Sequence, residues 1–276
     1  KWRRCRFTMA TFRPDGVHDL DGISKVLATA QWQQVATWVS SPEYLQLIEG
    51  LRIELTAAIS GKGLPSLRKN TTNSMVSEEL FSTALAEHKA FQAILHNYVA
   101  KYLLPAARKI IYGDLLPLNY TIQASMRKCR LAPAGHLPPA AMWHVDNLHR
   151  RPSVKAILHL SNVTDQDGCF RTLRHSTSGG TFEVNFPPAG TGGWSVGGPP
   201  LIPQHMIEEL QRQGYRQRCS EGPPGTITFF DTNIIHRASV PSNGRHRDTV
   251  TFQIFPSYCS AKCTILQGNQ NWYTPQ

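Results

Sequence analysis

Four residues in this sequence have types and spacings that can do chemistry together: His144, Asp146, His236 and Arg247. The first two sit in Met142-Trp143-His144-Val145-Asp146-Asn147. On an extended strand, residues two apart project to one face, so both side chains can reach a single metal ion. The third, His236, follows the strand-like run Gly225-Thr226-Ile227-Thr228-Phe229-Phe230-Asp231 and the segment Asn233-Ile234-Ile235. Two imidazoles and one carboxylate on one face of an octahedron suit a ferrous ion and leave three positions open. Arg247 comes eleven residues after His236, on the next strand-like segment. A guanidinium there can grip one end of a dicarboxylate cosubstrate in bidentate fashion while the other end meets the metal.

His-x-Asp alone is a weak signal, and His246-Arg247-Asp248 is a second instance of it. His246 is the last histidine of the chain, so that instance has no downstream third ligand. For the first instance, His149, His159 and His175 lack an arginine eleven residues on. His205 has one, Arg216, but His205-Met206-Ile207-Glu208-Glu209-Leu210 reads as a short amphipathic helix, with Met206, Ile207 and Leu210 on one side. Only His236 combines strand context with a following strand that carries arginine. In that following strand Arg247, Thr249, Thr251 and Gln253 share one face while Val250, Phe252 and Ile254 share the other. Such alternation predicts a strand with one packed apolar face and a polar face turned toward a site.

From Trp143 to about Tyr258 the chain resembles the phytanoyl-CoA dioxygenase-like branch of the Fe(II)/2-oxoglutarate oxygenases. The matching pieces are Trp143-His144-Val145-Asp146, Leu160 through Gly168-Cys169-Phe170, Pro224-Gly225-Thr226 through Asp231, and His236-Arg237-Ala238-Ser239 with Arg247. The resemblance implies an α+β fold with a mainly β core, a double-stranded β-helix (jelly roll) with N-terminal helices packed on one sheet. It implies Fe(II) held by His144, Asp146 and His236, with 2-oxoglutarate and O2 as cosubstrates. It further implies that Arg247, with Ser239, binds the distal carboxylate of 2-oxoglutarate. The chain departs from the family at Leu173-Arg174-His175-Ser176, where Gly-Ser-His is common, so no role is carried over to that loop. The implied reaction oxidises an unactivated C–H bond, by hydroxylation or by cyclisation or desaturation. Halogenation is not implied, because related halogenases lack the ligating carboxylate and Asp146 is present here.

Composition fits this reading. With 276 residues and 41% apolar content the chain can build one sizeable core, read as a single domain over 1–276. No apolar run approaches the ~18 residues of a membrane span. The six cysteines, Cys5, Cys129, Cys169, Cys219, Cys259 and Cys263, include no CxxC pair. They are expected as free thiols, which points to the cytoplasm. Sequons at Asn70, Asn119 and Asn162 permit a secretory route, and a start at Lys1 leaves room for a trimmed leader. The net charge of +10 keeps open a hydroxylase acting on nucleic acid or protein, although Lys1-Trp2-Arg3-Arg4-Cys5-Arg6-Phe7 is the one basic–aromatic cluster. A non-catalytic jelly-roll binding module is the other alternative, and it calls for a broken triad. Basic residues near the proposed ligands (His149, Arg150, Arg151, Arg171, Arg174, His175 and Arg237) favour a small substrate carrying carboxylate or phosphate.

The elements that must hold these residues read as follows. The first 115 or so residues are expected to be helical. One helix starts at Ser41-Pro42-Glu43, with Leu45, Ile48, Leu51, Ile53 and Leu55 as its stripe, and another starts at Ser77-Glu78-Glu79-Leu80. Strands begin near Asn119 and the core runs over about 119–260, with Gln123 and Arg127 on the strand before the His-x-Asp pair. The Gly/Pro-rich stretch 178–224 reads as a lid-like insertion between the second ligand and the third.

Overall fold

The computed structural model describes residues 9–20, 35–60, 68–72, 75–81, 97–103, 120–131, 139–146, 154–178, 180–182 and 201–256. Among these, eleven strands form two antiparallel sheets. The larger sheet contains β1 (Met9–Phe12), β2 (His18–Leu20), β3 (Arg68–Thr72), β4 (Met75–Phe81), β5 (Tyr120–Leu131), β6 (Val154–His159), β9 (Ile227–Asp231) and β11 (His246–Pro256). Their order is β2-β1-β9-β6-β11-β5-β4-β3. The smaller sheet joins β7 (Phe170–His175), β8 (Tyr215–Ser220) and β10 (His236–Ala238) in the order β10-β7-β8. The fold is thus mixed α/β, with mainly antiparallel sheets.

The two sheets meet through Met9, Phe170, Phe230 and Ile234, all buried, with the Phe170 and Phe230 rings 4.4 Å apart. Each such side chain contributes about 1.5–3 kcal/mol by leaving water. On the opposite face of the larger sheet lies helix α1 (Pro42–Ile59). Ser41 caps it by accepting the Tyr44 amide at 3.2 Å, as its sequence predicts. The buried stripe is Tyr44, Ile48, Leu51 and Leu55, whereas Leu45 and Ile53 are 40% and 56% exposed. The buried set keeps strict i, i+4, i+7, i+11 spacing, so helical geometry rather than apolarity chose it. Tyr44 donates to the Gly225 carbonyl at 2.7 Å, and Tyr98 stacks on Phe252 of β11 at 5.3 Å, which seats α1 on the sheet.

Several expectations are corrected. The N-terminal part is not uniformly helical, and strands begin at Met9 rather than near Asn119. Four-residue β1 is too short to show a period, and its pairing with β9 from Met9↔Phe230 to Phe12↔Ile227 decides its state. Met75–Phe81, read in part as a helix start, is strand β4. Its register sets Glu78 and Glu79 opposite Lys128 and Arg127 of β5, and this long-range pairing overrides the local acidic helix signal. Residues 82–96 of that expected helix lie outside the described residues, while Tyr98, the last residue expected on its apolar stripe, is helical and buried. In the stretch read as a lid, residues 201–224 are ordered elements: helix α2 (Gln204–Arg212), then β8 paired along β7. Residues 183–200 of that stretch lie outside the described residues.

The cysteines also differ from expectation. Cys169 and Cys219 form a disulfide across β7 and β8, where the register sets Arg171 opposite Cys219. Fifty residues separate them in sequence, so only strand pairing makes them neighbours. Cys129 is buried and forms no disulfide among the described residues. Among the described residues no helix is long and apolar enough to cross a membrane.

Candidate metal centre

His144 and His236 are neighbours because the backbone makes them so. Each donates its amide to the other's carbonyl at 2.9 Å, an isolated antiparallel bridge outside the main ladders. His144 therefore sits on a pinned extended loop rather than on a strand, and the Asp146 amide is tied to the Thr232 carbonyl at 3.0 Å. Behind the loop, Trp143 and Val145 pack with Leu173, Ile235 and the α2 residues Ile207 and Leu210. α2 has the amphipathicity read from the sequence, and its apolar face buttresses the ligand loop. His205, on the same helix, is exposed and takes no part.

The three proposed ligands converge, with donor atoms within 4.8 Å of one another. Asp146 Oδ2 lies 3.1 Å from His236 Nε2, and Asp146 Oδ1 lies 3.7 Å from His144 Nε2. Both imidazoles are oriented the same way: Nδ1 of His144 meets the Met142 carbonyl at 2.8 Å, and Nδ1 of His236 meets the Ile234 carbonyl at 2.9 Å. A carbonyl can only accept, so each Nδ1 carries the proton and each Nε2 presents its lone pair to the shared centre. Such outer contacts fix the ring and the tautomer of a metal-binding histidine. Burial pushes the His236 pKa down; the Asp146 charge opposes this and the His144 charge reinforces it, so the ring stays neutral. For Asp146 burial acts to raise the pKa, but the Lys155 charge, then His236 and His144, hold the carboxyl well below the usual range. Two imidazoles aimed through Nε2 and an ionised carboxylate are the donor set a ferrous ion takes.

These ligands open into a cavity of about 110 Å³ between the sheets, which Arg247 also lines. Strand alternation supplies the rest of the wall. Across three strands, Arg127 of β5, Thr249 of β11 and His159 of β6 stand in one row, and all three face the cavity. Thr251 lies two residues further along β11, while Val250, Phe252 and Ile254 on its other face are fully buried. The polar face of β11 is therefore turned inward, with Arg247 only 8% exposed and its Nη1 without a hydrogen-bond partner. Of the pair Gln123 and Arg127, Arg127 lines the cavity, whereas Gln123 falls opposite Gln253, nearer the other end of the ladder.

Ser239 is not brought to Arg247. It is three residues from His236, hence of opposite parity on β10 and its continuation, and its hydroxyl accepts from Arg171 Nε at 2.7 Å in a different cavity. Ala238 occupies the inward position. Conversely, sequence reasoning passed over Lys155 and His159. Lys155 Nζ is 2.8 Å from Asp146 Oδ2. His159 is fully buried, and neither ring nitrogen makes a hydrogen bond of ordinary geometry. Burial first, then the Arg247 charge, pushes its pKa down to about 3, against a weaker backbone contribution from Gly222. The signal was present: Lys155, Ile157 and His159 share one face of a strand whose other face, Val154, Ala156 and Leu158, is wholly apolar. His149, Arg150 and Arg151 lie outside the described residues; Arg174 is buried and His175 half-buried on β7.

No family model matches the chain, and no curated protein matches its sequence. Solved structures do match. EctD from S. alaskensis, crystallised with bound Fe, is 15% identical over 78% of this chain and 69% of its own, with a TM-score of 0.50. AviO1 from Streptomyces viridochromogenes Tue57 is 14% identical over 80% of this chain and 87% of its own, with a TM-score of 0.48. The non-haem α-ketoglutarate-dependent epimerase SnoN from nogalamycin biosynthesis is 12% identical over 79% and 76%, with a TM-score of 0.47. At such identities the likeness speaks for the fold alone.

Proposed function

We propose that this chain is an Fe(II)/2-oxoglutarate-dependent dioxygenase, a single domain on a jelly-roll frame, that oxidises an unactivated C–H bond of a small anionic metabolite. One observation carries the reading: two imidazole Nε2 atoms, an ionised carboxylate and a buried arginine with a free Nη1 meet in one cavity. His144, Asp146 and His236 would hold the iron. Arg247 would hold the far carboxylate of 2-oxoglutarate, with the Thr249 hydroxyl beside it. When bound, the iron couples decarboxylation of 2-oxoglutarate to succinate and CO2 with O2-dependent oxidation of the substrate C–H bond, giving an alcohol or, by loss of a second hydrogen, a ring or double bond.

The chain's own residues set the conditions. Ile157, Phe170 and Phe230 line the same cavity, which lowers the local dielectric and strengthens each charge interaction inside it. Lys155 now neutralises Asp146, and a metal cation at the triad would take over that role and leave the ammonium free for an anionic ligand. That supports a substrate bearing carboxylate or phosphate. A non-catalytic module would lack a reason for the twin Nδ1–carbonyl contacts that aim both histidines. The Cys169–Cys219 disulfide sits poorly with the cytoplasm, since such bonds persist in oxidising compartments.

Anaerobic titration with Fe(II) and then 2-oxoglutarate tests the proposal. A weak visible charge-transfer band is expected in the native protein and not in His236→Ala. A native protein that binds Fe(II) without developing that band on adding 2-oxoglutarate overturns it.

A further inference from the structure

A second cavity, of about 330 Å³, opens on the outer face of the smaller sheet. Its polar lining is Asp165, Gln166, Arg171, Arg237, Ser239 and Ser242. Alternation separates it from the metal centre. His236 and Ala238 face the inner cavity, while Arg237 and Ser239 face this one, and Arg171 stands directly opposite Arg237 in the β7–β10 register. Two guanidinium groups are thus placed side by side. Arg171 is compensated by an ion pair with Asp165. Among the described residues Arg237 hydrogen-bonds the neutral Gln217 side chain, at 3.0 Å, and its buried Nε has no hydrogen-bond partner. Its plane lies over the Trp143 ring, 4.7 Å from the centroid, which fixes the fork in place. Burial, and then the Arg171 charge, disfavour the Arg237 cation where it stands, and the Asp165 charge opposes them only in part.

A partly desolvated, immobilised cation beside a second cation, with hydroxyl donors at the rim, is the chemistry that recognises a small oxyanion. We propose that this outer cavity binds a free small oxyanion, phosphate in character, with Arg237 as its principal donor and Arg171 and Ser239 as partners. Asp165 is the one carboxylate in the lining, and it competes with the anion for Arg171. The ligand would sit directly behind the His144–His236 bridge, because Trp143 precedes one ligand and Arg237 follows the other. The site does not depend on the iron reading, and a bound anion there cannot touch the inner cavity.

The test is calorimetric titration of the metal-free protein with inorganic phosphate, against sodium chloride at equal ionic strength. Saturable binding is expected in the native protein. Arg237→Gln should weaken it by about ten- to a hundredfold, the loss of one charge-assisted hydrogen bond and its charge. Asp165→Asn should tighten it by releasing Arg171, and Arg247→Leu should leave it unchanged. Thermal unfolding of each variant reports whether it is folded. If Arg237→Gln does not fold, Asp165→Asn decides: tighter phosphate binding supports the site and unchanged binding overturns it. Binding no stronger than that of chloride, or binding retained in folded Arg237→Gln, overturns the proposal. Binding lost instead in Arg247→Leu moves the anion to the inner cavity and also overturns it.

Discussion

One step along β10 separates His236, which faces the inner cavity, from Arg237, which faces the outer one. The inner cavity is the more enclosed of the two and over-determined. Its histidines are held at Nδ1 by carbonyls, its walls include Phe170 and Phe230, and its charges are buried. The outer cavity is more open and under-compensated, with two arginines served by one carboxylate, one amide and one hydroxyl. Period-two alternation lets the same two strands supply both environments, so a slip of one residue in the β7–β10 register would exchange them. Gly168 helps to fix that register's end. It adopts φ +78°, and a Cβ there would lie 2.5 Å from the Ser239 carbonyl oxygen, so glycine alone lets β7 enter beside the 239–241 segment.

The largest expected effect breaks the inner cavity only. Replacing His144, Asp146 or His236 with Ala should abolish ferrous binding and 2-oxoglutarate turnover, read as metal content and succinate formation. Full activity in any of the three would remove that residue from the triad.

Arg247→Leu comes next. Losing a charge-assisted bidentate partner in a buried site costs on the order of 2–5 kcal/mol, so the 2-oxoglutarate requirement should rise by at least about tenfold with iron binding nearly intact. Arg245→Leu sharpens the contrast. Arg245 binds Asp167 at 2.8 and 3.1 Å, away from both cavities, and should leave that requirement unmoved. A larger effect at Arg245 would mean that the register leading into β11 is off by one same-face step.

The buried neutral His159 gives a pH signature. Its folded pKa of about 3 lies below the ~6.5 of an unfolded histidine, so between those values the unfolded state binds the extra proton. Stability is therefore full above pH ~6.5 and falls by about 1.4 kcal/mol per unit as pH drops through that window. Denaturant unfolding from pH 7 to pH 5 should show this slope, and His159→Leu should flatten it. An unchanged slope in the variant would assign the pH dependence to other groups.

The smallest effect lies outside both cavities. Asp167 accepts from the Thr164 amide and hydroxyl at 2.9 and 2.6 Å as well as from Arg245. Burial would raise its pKa, but Thr164 and Arg245 hold it below the ordinary value. Its contribution is present above pH ~4 and is lost as pH falls through the folded pKa. Asp167→Ala should cost about 1–2 kcal/mol in thermal unfolding, as for a lost helix cap, with metal binding unchanged.

The site was legible where residue type and short-range period carry the information. His144, Asp146 and His236 need only be neutral imidazoles and a carboxylate with the right spacing, and β11 displays its two faces in its own alternation. Ser239 was misplaced because a family pattern was carried over without counting parity from His236. Lys155 and His159 were passed over because the face they share shows a polar strand side but not its target, which only β11 beside them and Asp146 across from them supply. The disulfide could not be read either, since Cys169 and Cys219 adjoin only through β7–β8 pairing.

By itself the sequence determined the candidate ligands, the polar face of β11, the amphipathic face of α2 and three positions of that of α1, and an apolar content sufficient for one core. Each depends on residues a few positions apart, where backbone geometry imposes a fixed period. Only the tertiary structure decided that Met75–Phe81 is a strand, that Lys155 faces Asp146, and that Arg237 and Arg171 share a cavity behind the candidate metal centre. Those outcomes depend on which distant strand supplies the hydrogen bonds, a choice made by burial and register across the whole sheet.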